Sequence, residues 1–207
     1  IDSSTRWLVY QALLGGWVPG LAEDLPERLK TFLLKAVREA KVNTTWVKTN
    51  ETYEEALTTF LDRSLAHAAF VEAFEEAAGP YLAIGARKSL AQLALKLTLP
   101  GIPDIYQGTE VPDLSFVDPD NRRPPDFKAL EGFLDDDPGD GLGTRKRALL
   151  RFGLRLRAEH PDVFSGACRP IDIEGGSDQR LFAFSRIGNA ARLTVTVDLA
   201  GVSTALA

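Results

Sequence analysis

Apolar residues recur at helical spacing through most of the first hundred residues, and the recurrence stops at Pro100-Gly101. That period commits a segment to an amphipathic helix, because only a 3.6-residue repeat gathers the apolar side chains on one face. Trp7, Tyr10, Leu13 and Leu14 share such a face, and Gly15-Gly16 predicts its end. Asp24, Pro26 and Glu27 then give a start signal: a candidate cap, a proline in the first turn, and an acid near the positive helix end. Leu29, Phe32, Leu33, Ala36, Val37 and Ala40 follow as one stripe. Thr52-x-x-Glu55 reads as a capping box ahead of the stripe Tyr53, Ala56, Leu57, Phe60, Leu61 and Leu65. Two further helices are predicted over about 65–77 and 86–99, the second stopped by Pro100-Gly101.

Beyond Pro100 the texture changes. Ile102 to Tyr106 is a short apolar run with strand character, followed by a polar loop rich in Asp, Pro and Arg. A loop of that length is more than a connector, and is either functional or poorly ordered. A last helix is predicted over about 144–160, closed by His160-Pro161. Three strand patterns follow, Arg169 to Ile173, Arg180 to Phe184 and Leu193 to Val197, with turn signals at Gly175-Gly176 and Gly188-Asn189. The expected class is therefore α+β, mainly α, ending in a small antiparallel sheet.

Composition narrows the function classes. With 207 residues, 44% hydrophobic and 26% charged, the chain has the balance of a folded globular protein. A net charge of −5 argues against a general nucleic-acid binder, which needs a basic surface for phosphates. No stretch approaches about 18 uninterrupted apolar residues, so no membrane span is expected. Cys168 is the single cysteine, which rules out an internal disulfide framework and makes a reducing cytoplasm the expected compartment. A buried small hydrophobe is the better reading of Cys168 than a nucleophile. The chain begins at Ile1 and contains no Met, so a piece of a longer protein is expected.

The most informative segment is Pro100-Gly-Ile-Pro-Asp-Ile-Tyr-Gln-Gly-Thr-Glu110. It resembles the eighth-strand segment of the α-amylase superfamily barrel (glycoside hydrolase family 13). In that placement Ile102 and Ile105 fill the barrel interior or its outer layer, Tyr106 and Gln107 emerge at the strand's C-terminal end, and Gly108 lets the chain turn beside a ligand. Three residues on comes Asp113-Leu-Ser-Phe-Val-Asp-Pro-Asp-Asn-Arg-Arg-Pro-Pro-Asp-Phe127, which resembles the loop after that strand in maltooligosyl trehalose synthases. The stretches from Tyr10 to Trp17, Lys35 to Lys41 and Thr45-Trp46 resemble that family's region between the seventh and eighth strands, and Leu154 to Pro161 resembles its last barrel helix.

The resemblance implies three parts: a helical subdomain over 1–99 inserted between barrel strands 7 and 8, the last strand, substrate loop and last barrel helix over 100–162, and a partial β-domain over 163–207. It implies an isomerase that converts the reducing-end α-1,4 link of a maltooligosaccharide to an α,α-1,1 link. Tyr106, Gln107, Glu110, Asp118, Asp120, Arg122 and Arg123 are the implied substrate-binding residues. The family's nucleophile, acid/base and stabilising Asp lie before the matched region, and no His-Asp pair occurs here. No catalytic residue is therefore expected in this chain, which should be inactive alone. No cofactor or metal is expected, and a strand cut from a parallel barrel would leave open edges that favour self-association.

The loop residues also have structural readings. Arg122 and Arg123 could bond sugar hydroxyls or pair with Asp118 and Asp120, and one of each role is expected. Tyr106 could stack on a sugar or pack in a core, and Gln107 and Glu110 could bind sugar or brace the loop. Asp135, Asp136, Asp137 and Asp140 read as a solvated acidic loop in preference to a calcium site. Arg147, Arg151 and Arg155 read as a solvent-facing stripe paired with those acids in preference to a phosphate site. His67 and His160 have no zinc-ligand spacing. Rivals to the favoured reading are another amylase-family hydrolase or transglucosylase, and a non-catalytic helical binding module.

Overall fold

The computed structural model describes residues 1–132, 141–173 and 181–199. Its elements in chain order are α1 (Ser3–Gly16), α2 (Leu25–Ala40), α3 (Glu51–Ala66), α4 (Ala68–Thr98), a 3-10 turn at Asp120–Arg122, α5 (Phe127–Gly132), α6 (Leu142–Glu159), α7 (Pro161–Ser165), β1 (Ala167–Pro170), β2 (Leu181–Ile187) and β3 (Arg192–Asp198). The protein is mainly helical with a small antiparallel sheet. It divides into two compact units, Ile1–Leu82 with Leu114–Pro124, and Ala83–Asp113 with Pro125–Ala207. These cut across the texture change at Pro100, because the second half of the polar loop packs with the early helices.

The first unit is built on the predicted stripes of α2 and α3, but α1 buries Val9, Ala12 and Leu13, and Trp7 and Tyr10 of its predicted stripe are exposed. Val9, Ala12, Leu13 and Trp17 meet Leu25, Leu29, Leu33 and Val37 of α2 and Leu57 and Leu61 of α3. The four-residue spacing along α2 gives one buried face, and burying each such side chain stabilises the fold by about 1.5–3 kcal/mol. Phe74 covers Trp17, with ring centroids 4.8 Å apart, and Phe116 stacks on Phe32 at 4.9 Å. Gly15-Gly16 does not end α1 early, since the helix includes both residues. Gly16 is needed for contact instead: a Cβ there would lie 2.7 Å from Phe116 Cζ and 2.9 Å from Leu25 Cδ1.

Three local expectations change for physical reasons. Asp24 occupies the N-cap position of α2 without a side-chain cap bond, because its backbone is already helical and its carboxylate is drawn to Arg28 and Arg123. At α3 the cap is Asn50, whose side chain accepts the Tyr53 N–H at 3.2 Å, so the helix starts ahead of Thr52. The two helices expected over 65–77 and 86–99 are the single helix α4, which runs through Pro80. Proline frees only one carbonyl, that of Glu76, and Glu76, Ala77, Gly79 and Pro80 are exposed, so water can satisfy it.

In the second unit, Leu93 and Leu97 of α4 pack on Leu150 of α6, with Ile105 and Leu149 alongside. Gly153 permits this closeness, since a Cβ would lie 2.7 Å from Leu97 Cδ1. The buried stripe of α6 is Arg147, Leu150 and Gly153. Arg147 is thus buried and not part of a solvent-facing stripe, while Arg151 and Arg155 are exposed. The predicted strand at Ile102 to Tyr106 is an irregular extended segment that pairs with no strand among the described residues, and Ile102 is exposed. A parallel strand exists only through its neighbours' hydrogen bonds, which its own sequence does not supply. His160-Pro161 closes α6 and also opens α7.

The sheet has the order β1-β2-β3, antiparallel throughout, with Ala167 opposite Ile187 and Ile187 opposite Arg192. The turn at Gly188-Asn189 joins β2 to β3, while Gly175-Gly176, Arg180 and the acidic residues 135–140 lie outside the described residues. Arg186 on β2 is buried and donates to the carbonyls of Phe164, Thr98 (3.4 Å) and Gly166 (3.4 Å). Arg157 donates to Leu97 O at 2.9 Å and Gly101 O at 2.6 Å. Both guanidiniums therefore meet carbonyls at or just beyond the end of α4, where the helix dipole is negative. Among the described residues no helix is long and apolar enough to cross a membrane, and no group of three or more His, Cys, Asp or Glu side chains is placed to hold a metal ion.

Candidate functional site

α2 carries Arg28 and Lys35 on one face, seven residues and two turns apart, about 10 Å along the axis. Both reach to the loop around Asp118 and Asp120. The Asp120 carboxylate accepts from Arg28 Nε at 3.0 Å and Arg28 Nη2 at 3.1 Å, from the Phe116 N–H at 2.7 Å, and pairs with Arg123 Nε at 2.9 Å. Its side chain is only 5% exposed. Burial pushes the Asp120 carboxyl up, but the bonds from Arg28 and Phe116 and the charges of Arg28 and Arg123 outweigh this, so the group sits below the usual carboxylate range. Arg28 also donates to Leu114 O at 2.8 Å and lies 5.5 Å from the centroid of the Phe116 ring.

Arg123 completes the brace. Its Nη1 pairs with Asp24 at 3.0 Å and its Nη2 donates to Ser115 Oγ at 3.3 Å. Lys35 holds the neighbouring position, donating to Asp118 O at 2.7 Å and pairing with Asp118 Oδ2 at 3.1 Å. The Lys35 ammonium thereby holds the Asp118 carboxyl below its ordinary value. The peptide bond between Asp118 and Pro119 is cis. Arg122 stands apart from this framework: its side chain is 73% exposed and pairs with the Asp118 carboxylate at 3.3 Å. The geometry gives Asp120 and Arg123 a bracing role and leaves Arg122, with the outer edge of Asp118, facing solvent.

The remaining candidates belong to the second unit. Tyr106 is exposed, and its carbonyl accepts the Thr109 N–H at 3.2 Å and the Thr109 hydroxyl at 2.6 Å, closing a tight turn. Gly108 in that turn has φ +80° with Pro125 Cβ 3.1 Å from where its own Cβ would be, so glycine is required on both counts. Gln107 is exposed, and Glu110 is half-buried with Oε2 lacking a hydrogen-bond partner. Lys146 donates to Val111 O at 2.9 Å, and burial, then the like charge of Lys96, lower its pKa. Two clusters result, Asp118, Asp120, Arg122 and Arg123 in one unit and Tyr106, Gln107 and Glu110 in the other.

Sequence reasoning missed Arg28 and Lys35, the residues that set the loop's shape. Their signal was present: two cations seven apart on one helix, facing a stripe-free acidic segment. What was absent was any local cue that the partner segment lies some ninety residues later.

No protein-family profile matches the sequence. Two strains of Mycobacterium tuberculosis carry a protein provisionally named maltooligosyl trehalose synthase that is 36% identical over 188 residues, covering 89% of this chain and 24% of its own length. The solved maltooligosyltrehalose synthase of Arthrobacter ramosus is 37% identical, with a TM-score of 0.78 over 87% of this chain and 24% of its own. A further crystal structure of maltooligosyl trehalose synthase is 32% identical, with a TM-score of 0.85 over 96% of this chain and 28% of its own. The chain spans about a quarter of the length of the relatives it matches. Over that quarter of their length, the chain matches maltooligosyl trehalose synthases in both sequence and fold.

Proposed function

We propose that this chain is the C-terminal part of a (1→4)-α-D-glucan 1-α-D-glucosylmutase. Such an enzyme converts the reducing-end α-1,4 link of a maltooligosaccharide to an α,α-1,1 link within one bound chain. In this reading residues 1–99 are a helical subdomain inserted before the last barrel strand, 100–162 carry that strand, its loop and the last barrel helix, and 163–207 belong to a terminal β-domain. Reaction through a glycosyl-enzyme needs a nucleophilic carboxylate and an acid/base carboxyl group. Both belong to polypeptide outside this chain, which is inactive by itself and acts in the cytoplasm.

What this chain contributes is substrate contact and exclusion of water. Arg122 and the free edge of Asp118 offer fixed donors and acceptors to sugar hydroxyls. Asp120 and Arg123 hold them in place. Tyr106, Gln107 and Glu110, at the turn after residue 105 in the second unit, are a separate set of glucan contacts. Keeping the cleaved glucose in the site long enough to turn and attack demands that water stay out, which favours a rigid loop over a mobile one. The observation that carries the reading is the bracing of the loop by Arg28 and Lys35, with Arg122 left exposed. A polypeptide containing this chain and the expected carboxylates, given maltopentaose, should form a non-reducing product of the same length. Release of new reducing ends would assign it to the hydrolases instead, and no reaction on any α-glucan would support a binding module.

A further inference from the structure

The turn after α2 presents its two central residues, Trp46 and Val47, to solvent, 56% and 99% exposed. Tips of tight turns are normally Gly, Asn, Asp, Pro or Ser, because those residues favour the backbone bend and tolerate water. Val47 is almost wholly in water, and Trp46 buries less than half of its surface. Nor is the turn loose. The Thr45 N–H donates to Lys48 O at 3.1 Å, the Lys48 N–H returns a bond to Thr45 Oγ1 at 2.8 Å, and the Asn50 N–H donates to Thr44 Oγ1 at 3.0 Å. Thr44 is buried and donates to Glu54 at 2.7 Å. Glu54 in turn holds Arg38 through two bonds, at 2.9 and 2.5 Å, and the Arg38 guanidinium lies 4.9 Å from the centroid of the Trp46 ring system. The indole is thus fixed on a hydrogen-bonded base, with one face against a cation and much of its surface open.

Its position connects it to the braced loop. Arg38, which carries Trp46, stands one turn beyond Lys35, which carries Asp118, about 4.5 Å further along α2. Within the first unit Arg122 meets Asp118, Asp118 meets Lys35, and Arg38, three residues after Lys35 on α2, meets Trp46. We infer that Trp46 is a further sugar-binding residue, a stacking platform that extends the glucan surface from Arg122 past the C-terminal end of α2. The flat apolar faces of glucose rings suit an exposed indole, and the hydroxyls between them suit the charged groups along the strip. The inference rests on the proposed glucan reading.

The test is calorimetric titration of the 207-residue chain with maltoheptaose, with cellohexaose as control. The variants are Trp46→Ala, Trp46→Phe, Arg122→Ala and Trp7→Ala, the last removing another exposed tryptophan that lies on α1, off the strip. Trp46→Ala should weaken maltoheptaose binding about tenfold, the equivalent of about 1.4 kcal/mol. Trp46→Phe should recover most of it, and Trp7→Ala should change nothing. If Arg122→Ala weakens binding and Trp46→Ala does not, the platform is wrong and the glucan reading stands. Unchanged binding in both, or no binding by the parent chain, overturns both. If Trp46→Ala alters association state by light scattering while sugar binding is unchanged, the residue is a protein contact and the inference fails.

Discussion

Replacing Asp120 by asparagine is the sharpest perturbation of the braced loop. The substitution keeps the shape, removes the charge, and puts an amide N–H where the Arg28 or Arg123 guanidinium now donates. Arg28 is 14% exposed and Asp120 5%, so the pair sits largely out of water. Breaking such a pair by removing one partner costs about 3–5 kcal/mol, most of it the penalty for the cation left behind. The more exposed Arg123 adds at most about 1 kcal/mol. Asp120→Asn should therefore destabilise the first unit by about 3 kcal/mol, whereas Arg28→Met with Asp120→Leu should recover much of the loss because no buried charge remains. Urea unfolding followed by tryptophan fluorescence isolates the effect, since Trp7, Trp17 and Trp46 all lie in that unit. The carboxyl is held below its unfolded value of about 3.9, so the stabilisation it gives is full above that pH and lost as pH falls through the folded value. Asp120→Asn should flatten that acid limb. A shift under about 0.5 kcal/mol with an unchanged acid limb would refute the bracing argument.

Gly16→Ala should destabilise the first unit by about 1–3 kcal/mol in the same assay, since its Cβ would overlap Phe116 and Leu25. Arg186→Leu should lower the thermal midpoint of the second unit, costing about 3 kcal/mol as carbonyls of Thr98, Phe164 and Gly166 lose their donor, and lysine should restore only part. Pro80→Ala should raise helical content and stabilise α4 by up to about 3 kcal/mol; destabilisation would mean that the proline shapes a required bend. The 207-residue chain should self-associate through the exposed Ile102, Phe127, Phe152 and Leu154 of the second unit, and a strict monomer by light scattering at high concentration would count against this.

The helices were legible wherever burial and local propensity agreed. The stripe of α2 buries Leu29, Leu33 and Val37 as its spacing requires. Legibility failed where a residue serves a distant partner. Gly16 reads as a helix breaker, yet its use is to admit Phe116, one hundred residues on. Asp24 reads as a cap, yet its carboxylate goes to Arg123. The break expected between the helices over 65–77 and 86–99 is absent, since α4 continues through Pro80. At the candidate site, the motif singled out the loop and led to the expectation of unlike roles for its two arginines. Which arginine braces and which faces outward depends on α2, and no pattern within residues 113–127 encodes that.

The loop around Asp118 and Arg122 is proposed as a preformed surface for α-1,4-glucan. Titrating the 15N-labelled chain with maltoheptaose, and reading amide and arginine side-chain signals residue by residue, tests it most directly. Saturable shifts are expected across Val117 to Arg123, including the Arg122 side chain, with no comparable change for cellohexaose. Shifts confined to other parts of the chain, or equal responses to both sugars, would contradict it.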